Sequence, residues 1–179
     1  MPLRDPSETG KYLTLKKLGY NVSKGNKMEY IKEKISSILY ESTKEFRIGV
    51  CGFSEKKFDK EKALEYIKEA FDSLSKGKSK ITLVSGLTDV GVPGIAYKEA
   101  KKRKYKTVGI ACKKANDYKC FDCDEIHLIG DNWGDESETF LDSIDALVRI
   151  GGGKQSLEET KKAKKRNLTV LEFDLEEHK

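Results

Sequence analysis

Gly151-Gly152-Gly153-Lys154-Gln155-Ser156 is the stretch of this chain with the most chemistry in it. The apolar run Ala146-Leu147-Val148-Arg149-Ile150 precedes it, and Leu157-Glu158-Glu159 follows. Strand, glycine turn and helix start, in that order, can hold an anion. Glycine lets the backbone come close, and the first N–H groups of a helix have no partner inside it and sit at the positive end of its dipole. The backbone of Gly152 to Ser156 would form the nest, with a hydroxyl donor from Ser156 and charge from Lys154.

Two more glycine-bearing loops follow apolar runs: Cys51-Gly52-Phe53-Ser54, and the segment from Ser85-Gly86 to Gly91 and Gly94. If the three preceding strands are central, all three loops face one crevice, and Ser54 adds a second hydroxyl. Carboxylates stand near the third loop. Glu158 and Glu159 open its helix, and the acidic run Asp131, Asp135, Glu136, Glu138 precedes its strand. A carboxylate beside an anomeric carbon can activate water or stabilise an oxocarbenium-like transition state. In a helix's first turn it can also simply complement the dipole. Asp131 and Trp133 are placed to meet a sugar or a base, Trp133 by stacking. No GxxxxGK[ST] is present, which argues against a P-loop ATPase. The first loop lacks GxGxxG, which argues against a standard dinucleotide oxidoreductase.

Alternating apolar patterns must position these loops. A helix is expected over about 28–42, from the spacing of Tyr30, Ile31, Ile35, Ile38 and Leu39. Strands are expected at 46–51, 80–85, 107–111, 125–129, 146–150 and 168–173. Helices are expected at about 59–76, from the 86–94 loop to about 104, at 136–143 and at 156–166. This is an α/β pattern: a doubly wound, mostly parallel sheet of about six or seven strands with helices on both faces. Ligands of such sheets sit at the strand carboxyl ends, where the order reverses. Residues 1–44 read as an N-terminal extension with one helix, and 45–179 as the main domain.

The loop sequences carry a resemblance. Gly151 to Glu159 resembles the PGGxGTxEE signature of the LONELY GUY family, often labelled lysine decarboxylases, within the Rossmann-like SLOG superfamily. Val50-Cys51-Gly52-Phe53-Ser54 resembles its first-strand CGSS, Gly91-Val92-Pro93-Gly94 its GLMG, and Ile144-Asp145-Ala146-Leu147 its SDAF. The resemblance covers roughly 46–173 and implies a Rossmann-like fold that binds a nucleoside 5'-monophosphate. It also implies phosphoribohydrolase activity, which splits the N-glycosidic bond without a cofactor. Gly152, Gly153 and Ser156 would hold the phosphate, and either Glu159 or Glu158 would act near the ribose. Gly151 and Gln155 stand where the signature has proline and glycine. Glu136 stands where the enzymes carry arginine. It supports binding better than hydrolysis, and Glu136 could itself serve as a nucleophile, as in deoxyribosyltransferases. A non-catalytic sensor or binder of a nucleotide-derived ligand is the alternative. The family commonly forms dimers.

The chain has 179 residues, and its net charge of +5 is unevenly spread. Residues 98–119 hold nine Lys/Arg and two acids, whereas 122–145 hold nine acids and no Lys/Arg. A basic segment allows single-stranded DNA binding, as in DNA-processing protein A. Its shortage of arginine and aromatics argues against nucleic acid and for a solvated helix face. Cys51, Cys112, Cys120 and Cys123 include one CxxC and no second pair, so reduced thiols are expected rather than a metal site. Without an apolar leader or a run of about 20 apolar residues, a cytoplasmic protein without membrane contact is expected.

Overall fold

The structure is a computed structural model that describes residues 27–178. The chain forms two compact units that divide between Glu41 and Ser42. Helix α1 (Lys27–Thr43) lies in the first except for its last two residues, on the segment whose apolar residues recur at helical spacing. The expectation for residues 1–26 lies outside the described residues.

The second unit alternates strand and helix. Its elements are β1 (Glu45–Gly52), α2 (Lys60–Leu74), β2 (Lys80–Ser85), α3 (Gly91–Lys102), β3 (Lys106–Ala111), β4 (Glu125–Leu128), α4 (Ser137–Asp142), β5 (Ala146–Ile150), α5 (Lys154–Lys165) and β6 (Thr169–Phe173). A 3₁₀ turn over Lys113–Asp117 was not legible as an element in the sequence. The strands make one six-stranded sheet in the order β4-β3-β2-β1-β5-β6, and every strand pairing is parallel.

Apolar side chains leave both faces of this sheet. Ile48, Val50, Leu83, Val148 and Ile150 pack against Ile67 and Phe71 of α2 and Ala96 and Tyr97 of α3. Cys51, Val84, Val108, Ile110 and Leu147 pack against Phe140 and Leu141 of α4, Ile144, and Ala163 of α5. Runs buried on both faces are why these strands read as continuous apolar stretches. The Tyr97 hydroxyl is fully buried. It donates to the Val108 carbonyl (3.0 Å) and accepts from Leu87 N–H (3.1 Å), which fixes the loop after β2.

The uneven charge is partly offset by ion pairs at the surface. Lys101 pairs with Asp124, Lys106 with Glu125 and Lys113 with Asp131, so part of the basic segment faces the acidic one. Arg103 bridges Asp72 and Glu99. No helix among the described residues is long and apolar enough to cross a membrane.

Candidate functional site

Chain order reverses at β1, which lies between β2 and β5. The three glycine loops therefore follow three adjacent strands. At their carboxyl ends is a cleft of about 670 Å³ lined by Gly52, Phe53 and Ser54, by Ser85, Gly86 and Thr88, and by Gly152 to Ser156, Glu136 and Glu159. This is where an open parallel sheet leaves room for a ligand.

The third loop is shaped by two left-handed residues, Gly151 (φ 55°) and Gly152 (φ 102°), a conformation that favours glycine. The buried Arg149 guanidinium donates to the Gly151 carbonyl (2.9 Å) and is held in turn by Glu172 and Asp174. Gly151 N–H donates to the Phe173 carbonyl (2.9 Å), tying the turn to β6. The chain then enters α5 at Lys154, two residues before the expected start, so Gln155 and Ser156 lie in its first turn. Gly153 is the N-cap and has no side chain to offer the first N–H groups. A Cβ on Gly153 or Gly86 would meet nothing within 4 Å. By contrast, a Cβ on Gly52 would strike the Ile150 carbonyl, so that glycine lets β1 approach β5.

Beside the helix start lie two carboxylates. Glu136 is 5% exposed and Glu159 6%. Gln155 Nε2 donates to Oε1 of Glu136 (2.9 Å) and to Oε1 of Glu159 (3.1 Å). Ser137 Oγ donates to Glu159 (2.7 Å), and Gly134 N–H donates to Glu136 (3.0 Å). Burial pushes the Glu159 carboxyl above the usual carboxylate range, and the charge of Glu136 adds to this, against the hydrogen bonds from Ser137 and Gln155. Cys51 lines the same cleft, and its thiol is pushed well up, first by burial and then by Glu159. That environment favours the thiol over the thiolate. At the mouth, Tyr118 and Trp133 meet edge to face with ring centroids 5.8 Å apart, both partly exposed.

Several expected site residues lie elsewhere. Gly91 and Gly94 line a second cleft, of about 690 Å³, instead of the first. Gly91 lets α3 close onto the carbonyls of Phe53 and Ser54, where Val92 N–H donates to Phe53 (2.7 Å), and Gly94 packs on Asp89. Gly151 packs on the Phe53 ring behind the loop. Asp131 is turned to solvent and pairs with Lys113. Glu158 is exposed and pairs loosely with Lys154 (3.9 Å), so of the two glutamates it is Glu159 that enters the cleft. Gln155, Ser137, Cys51, Tyr118 and Arg149 were missed. The signals for two of them were present: Gln155 stands where the resembling signature has glycine, and Arg149 is a lone cation inside an apolar strand. Nothing in the sequence marked Tyr118.

Cys51 and Cys112 are buried and Cys120 and Cys123 half-buried, all four as free thiols. Among the described residues no group of three or more His, Cys, Asp or Glu is placed to hold a metal ion.

This α/β unit, with its three loops at one switch point, has a Rossmann-like fold that resembles the SLOG type, and comparison with solved structures agrees on the fold. The molybdenum cofactor binding protein of the phototrophic bacterium Rippkaea orientalis is 26% identical, with a TM-score of 0.60 over 73% of this chain and 77% of that one. The molybdenum cofactor carrier protein of Chlamydomonas reinhardtii is 23% identical, with a TM-score of 0.57 over 72% of this chain and 76% of that one. No family model and no curated protein matches the chain.

Proposed function

We propose that the chain binds a phosphorylated small molecule of nucleotide or phosphoribosyl type, with the phosphate at the start of α5. The observation that carries this reading is Gly153. It caps a helix with no side chain, and the space in front of it opens into the cleft beside Gly152 and Ser156. Uncapped N–H groups and the helix dipole suit a phosphate there. Gly52, Ser54, Gly86 and Lys154 line the remaining wall, and Trp133 with Tyr118 offers aromatic surface for a ring. The similar Rippkaea protein is named for binding the molybdenum cofactor. That ligand is itself a phosphate ester, so carriage of it belongs in the same reading. By the LONELY GUY resemblance the chain also dimerises, which sedimentation of the purified protein tests.

A second reading, hydrolysis of an N-glycosidic bond, is favoured by one observation: a buried Glu159 whose carboxyl is held above its usual range, as suits a general acid or base. Glu136 beside it supplies an anion where the resembling enzymes have a cation. One experiment separates the two. The full chain is incubated with a panel of nucleoside monophosphates and with molybdenum cofactor, and both thermal stabilisation and free base are measured. Saturable stabilisation without release supports a binder, and release of base supports the hydrolase. No stabilisation by any phosphorylated compound removes both.

A further inference from the structure

The cleft holds two buried carboxylates whose hydrogen-bond partners among the described residues are neutral: the Gln155 amide, the Ser137 hydroxyl, the Gly134 N–H and the Cys51 thiol. Gln155 is in the first turn of α5 and Glu159 about one turn further along, a rise of about 6 Å. Glu136 and Glu159 line the same cleft as Gly152 to Ser156, so a ligand with its phosphate on the first N–H groups of α5 shares that space with them. An ionised carboxylate accepts hydrogen bonds and donates none, and a buried one is costly to bring near another negative charge.

We infer that Glu136 and Glu159, held together by Gln155, set the specificity of the cleft. It takes a phosphomonoester whose atoms next to the phosphate are neutral hydrogen-bond donors, hydroxyl or amino. It rejects one with a second acidic group there. This inference rests on the proposed phosphate site and adds the class of ligand that the site accepts.

The test compares glycerol 3-phosphate with 3-phosphoglycerate, which differ by a terminal hydroxymethyl against a carboxylate. Calorimetric titration of the full chain is expected to give tighter binding of glycerol 3-phosphate, by about 10-fold or more. Glu136→Gln keeps the shape and removes the charge. It is expected to narrow the ratio below about 3-fold, chiefly by a gain of affinity for 3-phosphoglycerate. A gain of affinity is an outcome that misfolding does not mimic, and Glu159→Gln provides the second variant. Equal binding of the two compounds by the unaltered chain, or a ratio unchanged in both variants, overturns the inference and leaves the phosphate site standing. Binding of neither compound removes the phosphate site and the inference with it.

Discussion

Glu159→Gln is expected to stabilise the fold, and to do so only at higher pH. The two Oε1 atoms of Glu136 and Glu159 share one donor at 2.9 and 3.1 Å, so they lie no more than about 6 Å apart. Two unit charges at that separation repel by about 2–3 kcal/mol at an effective dielectric near 20. The glutamine amide oxygen can keep the hydrogen bonds from Ser137 and Gln155, but as neutral ones, about 1–2 kcal/mol weaker in sum. A net gain of about 1 kcal/mol remains at about pH 8, or about 2–4 °C in Tm for a chain of this size. The sign with pH follows from linkage. The Glu159 carboxyl is raised in the folded state. Its contribution to stability is therefore whole below the unfolded pKa and is lost as pH rises through the folded one. The difference between variant and parent should thus be small near pH 4.5 and grow upward, as read by urea unfolding at both pH values. A variant destabilised equally at both would refute the repulsion and make Glu159 a purely structural hydrogen-bond acceptor.

Three other perturbations follow from the same geometry. Gly153→Leu should abolish thermal stabilisation by glycerol 3-phosphate while lowering unfolding free energy by only about 1 kcal/mol, because leucine is a poorer N-cap than glycine but its side chain enters open space. Trp133→Ala should weaken ring-bearing phosphates by about 1–3 kcal/mol and leave glycerol 3-phosphate unaffected, as titration of both compounds would reveal. Tyr97→Phe leaves the buried Leu87 N–H and Val108 carbonyl without the hydroxyl and should cost about 1–3 kcal/mol in urea unfolding, a loss that an unchanged midpoint would contradict.

The parallel sheet was legible because β1, β2, β3 and β5 are apolar on both faces and β1, β2 and β5 are each followed by a helical pattern. The strand–glycine turn–helix junction was legible because Gly151 to Ser156 follows an apolar run and precedes a helical pattern. Which glutamate of α5 turns inward was not read, although Ser156, Glu159, Thr160 and Ala163 are all buried and mark one helix face. The start of α5 was placed at Ser156, which obscured the turn that Gln155 shares with it. Gly91 and Gly94 pack closely on their neighbours, and a glycine that serves close packing looks the same in sequence as one that serves an anion. Only the tertiary contacts of Phe53, Ser54 and Asp89 distinguish the two. The Gln155 bridge depends on α4 and α5 meeting, a long-range contact that no local pattern carries.

The central claim is that a phosphate sits at the start of α5, and backbone amide resonances report on it directly. Glycerol 3-phosphate titrated into ¹⁵N-labelled protein should produce saturable shifts largest at Gly152, Gly153, Lys154, Gln155 and Ser156. Shifts confined to lysine-rich surface outside the cleft, or none at all, would contradict the account.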